Sequence, residues 1–239
     1  MLRALRLIVG AILAVYLLRQ VRKPTKFLGR PFLWMMNKSH SPLTNWGLEH
    51  VRIEKEFTIL DVGCGGGRTI QKLAARAPEG KVFGIDYAAG SVAASRAKKA
   101  ALIQAGRVEI TQASVSRLPF PEDKFDLVTA IETQYYWPNL VEDMREILRV
   151  LKPGGTLIVI AESYAKGPRK NVFGPVMKLL GAANLSVEEE RELFANAGYT
   201  DIAIFEEPAK GWLCATGKKA LAGHPSYTDL GEAQNSVSV

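Results

Sequence analysis

From about residue 57 onward, apolar and polar positions switch between two rhythms. Phe57–Val62 is a short apolar run that breaks into glycines, as a buried strand entering a turn does. Ile70, Leu73, Ala74 and Ala77 then fall at i, i+3, i+4 and i+7, one face of a helix that Pro78 stops. Lys81–Asp86 predicts a second strand, and Ser91–Ala105 an Ala-rich helix closed by Gly106. Val108–Thr111 predicts a third strand. Phe125–Ile131 predicts a fourth, whose nearly continuous apolar run suits a strand covered on both faces. Asn139–Leu151 reads as a helix with Asn139 at its N-cap and Glu142 three residues on. Lys152-Pro153-Gly154-Gly155 ends it, the glycines serving as C-cap and turn before a fifth strand at Thr156–Ala161. Ser186 and Glu189 form a capping box ahead of a helix to Ala197, ended by Gly198. Ile202–Phe205 and Trp212–Thr216, joined around Pro208, have the spacing of a hairpin. Five β-α units and a closing hairpin predict an α/β fold: a doubly wound, seven-stranded, mostly parallel sheet with the last strand antiparallel. Ligands of such sheets lie beyond the C-terminal strand ends, so chemistry is expected at segments 61–68, 86–87, 113–116, 130–137 and 161–168.

The flanks differ. Leu7–Leu18 is an uninterrupted apolar run between arginines, followed by a basic stretch through Pro24 and Pro31; residues 219–239 are poor in large apolar side chains and read as a flexible tail. The expected division is an arm at 1–30, a catalytic domain at 31–218 and that tail. Across 239 residues the chain is 47% hydrophobic and 23% charged, which excludes a disordered protein. Its net charge of +7 is local. Residues 1–48 hold eight basic residues and no acid, leaving 23 basic against 24 acidic residues, or −1, in 49–239. That body lacks the basic track a phosphate backbone requires, so no nucleic acid partner is expected. Cys64 and Cys214 are too few for a disulfide scaffold, and no Cys/His cluster points to a metal. Cys64 reads as a small loop filler, without a basic neighbour to activate it.

The first strand exit runs Leu60-Asp61-Val62-Gly63-Cys64-Gly65-Gly66-Gly67-Arg68-Thr69. Its glycines let the backbone turn sharply and approach a ligand without obstruction. A dinucleotide loop needs a third glycine where this chain has Arg68, and Asp61 would repel a pyrophosphate. S-adenosylmethionine carries an ammonium and a sulfonium there and tolerates the acid. Charge decides for it.

Taken in order, LDVGCGGG at 60–67, VFGIDY at 82–87, LPF at 118–120, FDLV at 125–128 and LKPGG at 151–155 resemble the class I S-adenosylmethionine-dependent methyltransferases of small-molecule type. The resemblance spans about residues 45–217 and implies a Rossmann-like methyltransferase fold with S-adenosylmethionine as cofactor. It implies that Asp61, Gly63, Gly65 and Gly67 shape the loop beneath the cofactor's amino-acid and ribose parts. Asp86 is to accept from both ribose hydroxyls and Tyr87 to lie against the adenine. Ser114 and Val115 stand where relatives read the adenine amino group with an acid and a small residue; with serine there, that contact is weaker or comes from backbone. Ala130, at the fourth strand's exit, borders the same site.

Segment 129–138 concentrates acid, amide and aromatics where the resemblance puts the transferring methyl. Transfer is an in-line displacement on an activated sulfonium, so the protein mainly positions the acceptor and excludes water. If the acceptor arrives protonated, Glu132 is the first candidate base and His40 the second. Tyr135 and its aromatic neighbours can face the cationic sulfur, while Trp137 reads as packing. No Asn-Pro-Pro-Tyr tetrapeptide is present, which opposes methylation of nucleobase or glutamine amino groups. Residues 35–47 and the insertion at 163–185, with Val172, Phe173, Val176, Met177, Leu179 and Leu180, are expected to roof the site and admit a small-molecule or lipid-like acceptor. Two readings compete: a binding scaffold without turnover, raised by Ser114, and a nicotinamide oxidoreductase, opposed by Arg68 and Asp61.

The arm carries its own expectation. Leu7–Leu18 is apolar on every side, and its 12 residues make about 18 Å of helix. Leu2–Val21, 20 residues, approaches the roughly 30 Å of a bilayer core if Arg3, Arg6 and Arg19 snorkel. Basic residues directly after it oppose signal cleavage and hold the body on the cytoplasmic side. An N-terminal hydrophobic helix touching a membrane through residues 1–23 is expected, with a packing or dimer-forming helix of a soluble cytoplasmic protein as the alternative.

Overall fold

A computed structural model describes residues 41–162, 164, 165, 175, 177–179 and 181–221. The arm and its expected helix, His40, insertion residues 163, 166–174, 176 and 180, and the tail from 222 lie outside the described residues. Helix α1 (Ser41–Gly47) runs into a 3-10 turn at Leu48–His50. Strands β1 (Thr58–Val62), β2 (Lys81–Asp86), β3 (Val108–Gln112), β4 (Phe125–Ile131) and β5 (Leu151–Ala161) follow. Between them lie α2 (Arg68–Arg76), α3 (Ala89–Lys98), α4 (Ala100–Gln104) and α5 (Leu140–Val150). Helix α6 (Val187–Asn196) leads to β6 (Thr200–Glu207) and β7 (Trp212–Lys218).

All seven strands form one sheet in the order β3-β2-β1-β4-β5-β7-β6. β1 to β5 pair in parallel, and β7 is antiparallel to both β5 and β6. The antiparallel strand therefore lies inside the sheet, with β6 at the edge. Strand order reverses between β1 and β4, whose exit loops diverge and open a crevice. Alternation along the strands makes two apolar layers. Leu60, Val62, Val128, Ala130, Leu157 and Val159 face α5 and α6 through Met144, Ile147, Leu193 and Phe194. Ile59, Leu127, Ile158 and Ile160 face α1 and α2 through Leu43, Ile70 and Leu73.

Three local readings need correction. The Ala-rich helix is two helices, broken at Lys99 with φ −110. Lys152–Gly155 does not cap α5: the chain enters β5 at Leu151, opposite Phe125, and a register shift follows. Gly154 and Gly155 instead exchange backbone bonds with Lys219 at 2.8 and 2.9 Å, so β-type partners satisfy a segment that reads locally as a turn. At α5 the Asn139 side chain makes no cap; the Asp143 carboxylate accepts from the Asn139 N–H at 3.0 Å. The Ser186–Glu189 capping box forms as expected, with bonds of 2.7 and 3.2 Å, and Gly198 follows α6 at φ +95.

Gly80 tests the packing beneath β1 and β2. A Cβ there would overlap the Phe57 carbonyl, which is backbone and cannot turn aside. Gly80→Ala is expected to remove about 2 kcal/mol of stability and lower Tm by roughly 4–8 °C in thermal unfolding. Gly106→Ala, with open space around it and φ +72, should lose only about 1 kcal/mol. Equal effects would contradict this packing.

Candidate active site

The crevice is built first by the loop after β1. Gly63, Gly65 and Gly67 all take left-handed backbone, with φ of +72, +49 and +74. A Cβ on Gly63 would overlap Thr133 Oγ1, and one on Gly67 would overlap Ser95 Oγ. A Cβ on Gly65 would meet nothing nearer than the Gly63 oxygen at 4.0 Å. Gly65 is thus bare toward the crevice, whereas its neighbours are bare toward the protein. Cys64 packs beneath, buried, where Gly84 leaves room for its sulfur; burial first, then Asp61 and Asp86, push its thiol well above the ordinary range. It is filler, as read.

Asp86 ends β2 and is 7% exposed. One carboxylate oxygen accepts from Gly65 N at 2.9 Å and the other from Ala88 N at 2.8 Å. Burial pushes its pKa up, while these bonds and one with the Ser91 side chain pull it down; the net direction is upward. Asp61 stands opposite Thr129 across the β1–β4 pairing. Thr129 Oγ1 lies 2.8 Å from Asp61 Oδ1, but Oδ2 is buried with no partner among the described residues. Burial chiefly, then the Asp86 charge, push Asp61 up to about 7 against the Thr129 bond. Two acids close together, one with an orphaned oxygen beside a bare glycine loop, suit a cationic ligand with hydroxyls. They do not suit a pyrophosphate.

Tyr87 is 47% exposed at the β2 exit. Ser114 is exposed and its Oγ accepts from Ser116 N at 3.2 Å; Val115 is turned into the core with Leu118. Ala130 is fully buried beside Val62.

The acidic wall is at the β4 exit. Glu132 has φ +58, a conformation a non-glycine residue adopts at a cost of about 1 kcal/mol or more, and such residues concentrate at working sites. Its N–H donates to Ile160 O at 2.9 Å. Its Oε1 accepts from Tyr135 OH at 3.1 Å and from Glu162 N. The acid is thereby planted between the exits of β4 and β5. Trp137 is buried with its N–H on Thr133 Oγ1 at 3.3 Å, the packing role expected of it. Beside Tyr135 a cleft of about 560 Å³ opens among Trp137, Leu140, Val141, Gly181 and Ala183. The residues that sequence reasoning missed are Thr129, Thr133, Gln134 and Glu190. Thr129 and Thr133 stood inside segments already marked; Glu190 gave no signal, being one of three consecutive glutamates on α6.

Comparisons with known proteins bear on the fold and the kind of domain. The methyltransferase-domain family model matches residues 60–159. The ubiquinone/menaquinone biosynthesis C-methyltransferase of Geobacter sulfurreducens is 29% identical over 196 residues, 72% of this chain and 75% of that one. The demethylmenaquinone methyltransferase of Listeria monocytogenes is 34% identical over 125 residues, so the chain spans about half (52%) of that relative. Among solved structures, an S-adenosylmethionine-dependent methyltransferase from Aquifex aeolicus shares the fold at TM-score 0.64 and 19% identity, over 80% of this chain and 98% of that one. With the ordered motifs on a β1–β4 switch-point crevice, these findings show a methyltransferase domain over residues 60–159, of the S-adenosylmethionine-dependent kind.

Proposed function

We propose that this enzyme methylates a small, largely apolar acceptor bearing an ionisable hydroxyl, of the hydroquinone type. The observation that carries the reading is the Glu132–Tyr135 hydrogen bond, with Glu132 at φ +58, beside the cleft bordered by Tyr135, Trp137, Leu140 and Val141. The names of the quinone-methylating relatives support it. Among the described residues no helix is long and apolar enough to cross a membrane.

In the cofactor half, Gly65 gives room for the ribose and methionine parts, and the Asp61 Oδ2 faces the ammonium. Asp86 already gives one lone pair each to Gly65 N and Ala88 N and a further bond to Ser91. It takes one ribose hydroxyl directly and the second only as Ser91 turns away, which refines the expectation of two equal contacts. Tyr87 lies along the adenine, and the Ser114–Val115 backbone reads its edge. Bound S-adenosylmethionine supplies a methyl group activated on sulfur. Tyr135 and the cleft walls hold the acceptor in line with that methyl and exclude water. The acceptor's electron pair forms the new bond, the broken C–S pair stays on sulfur, and Glu132 takes the hydroxyl proton.

We further propose that residues 1–23 fasten the enzyme to the cytoplasmic face of a membrane, where an apolar acceptor is concentrated. The domain division at 1–30, 31–218 and 219–239 belongs to the same proposal, except that Lys219, paired with Gly154 and Gly155, extends the domain by one residue.

In calorimetric titration S-adenosylhomocysteine should bind the wild type, at least about tenfold more weakly to Asp86→Ala, and not at all to Gly65→Asp. Failure of the wild type to bind would refute the cofactor assignment. With demethylmenaquinol and methyl-labelled donor, Glu132→Gln should lower kcat about 100-fold while leaving S-adenosylhomocysteine affinity unchanged. Binding without turnover across a panel of phenolic acceptors would favour the scaffold reading. Cell fractionation tests the arm: full-length protein should sediment with membranes and a form lacking residues 1–23 should not. Identical soluble behaviour of both would refute attachment.

A further inference from the structure

Behind the acidic wall lies a buried glutamate. Glu190, in the first turn of α6, is 4% exposed, and its Oε1 accepts from the Gln134 side-chain N–H at 3.0 Å. Gln134 is buried as well and opens the 3-10 turn Gln134–Tyr136. That turn is short and held by few bonds: Tyr136 N to Thr133 O and Trp137 N to Gln134 O, each 3.1 Å. It carries Tyr135, whose hydroxyl bonds the Glu132 carboxylate and whose carbonyl accepts from Ala183 N at 2.8 Å. Glu190 cannot touch an acceptor. The cavity it shares with Gln134, Tyr135, Tyr164 and Leu213 is about 20 Å³, room for one water.

We propose that Glu190 is a positioning residue for methyl transfer: its bond to Gln134 fixes the Gln134–Tyr136 turn and, through Tyr135, the orientation of Glu132. The proposal rests on the assignment of Glu132 and Tyr135 to the acceptor site. No described cation pairs with Glu190. On α6 itself, Glu189 is committed to the Ser186 cap and Arg191 to Ile202 O at 3.2 Å. From α5, Arg145 reaches Asn196 O at 3.0 Å, and the Tyr199 hydroxyl after α6 is taken by Met144 O. Tyr135 and Tyr164 are the titratable groups of the shared cavity, and Tyr164 is hydrogen-bonded to Glu206 of β6. Burial pushes Glu190 up to about 7, with the Gln134 bond opposing. The sign follows: at low pH the neutral carboxyl sits comfortably in its apolar surroundings, and above about 7 an ionised carboxylate with one hydrogen bond and no cation forces the turn open. Between pH 6 and pH 8 the neutral fraction falls about tenfold.

Hydrogen exchange at the Tyr136 and Trp137 amides, normalised to intrinsic rates, tests this without any acceptor. In the wild type, protection should fall about tenfold from pH 6 to pH 8. Glu190→Gln keeps the bond to Gln134 and cannot ionise, so its protection should stay flat; Glu190→Leu should be unprotected at both pH values. S-adenosylhomocysteine affinity should be unchanged in all three. The same pH slope in Glu190→Gln as in the wild type, or full protection in a folded Glu190→Leu, would overturn the proposal. Where demethylmenaquinol is turned over, kcat should decline above pH 7 in the wild type and not in Glu190→Gln. A flat exchange profile counts against Glu190 alone, whereas correct exchange with no turnover of any phenolic acceptor counts against the reading of the site.

Discussion

The Asp86 carboxylate accepts from Gly65 N and Ala88 N, and these two bonds tie the loop after β1 to the chain after β2. Without them the glycines, each in a conformation with many alternatives, would have no reason to keep one shape. A buried carboxylate that collects backbone donors is rigid because no part of it can turn to water. In the proposed function the same acid also receives a ligand hydroxyl, so one group both shapes the cradle and meets its content. Parallel pairing of β1 with both β2 and β4 sets the distances, since the register places Asp61 beside Thr129 and Val62 beside Ala130.

Electrostatically the crevice is built at some expense of stability. Asp61 and Glu190 are both pushed up to about 7 by burial. Their unfolded forms release the proton near the ordinary carboxylate range, so between that range and pH 7 the folded state binds more protons than the unfolded one. Stability therefore falls as pH rises through this window and levels off above it. In the proposed function a cationic ligand at Asp61 would offset the loss by favouring the ionised form. At Glu190 no cation among the described residues does. The difference separates an acid that meets a ligand from one that braces the wall behind it.

The strained Glu132 links these halves. A residue at φ +58 turns the chain abruptly out of β4, so that its side chain reaches across to Glu162 N instead of continuing along the strand. The aromatic turn that follows then stands over the cleft. In the proposed function this would set a fixed proton acceptor beside Tyr135, which lines the cleft.

What could be read along the chain was whatever neighbouring residues decide. The parallel strands declared themselves by apolar runs, the glycine loop by its spacing, the α6 start by Ser186 and Glu189, and the β6–β7 hairpin by its short connection. Each rests on contacts within a few residues or on burial of a whole face. Asp86 was legible for the same reason, as an acid closing a strand. The misreadings share the opposite cause. Leu151–Gly155 looked like a helix end and turn because its partners, Phe125 and Lys219, are remote in sequence. Nothing local places β7 between β5 and β6. Glu190 looked like a solvated helix glutamate, and only the approach of Gln134, 56 positions away, buries it. Glycine conformation and side-chain period are properties of the local chain. Which polar group is taken from water, and which partner meets it there, is decided when distant segments pack.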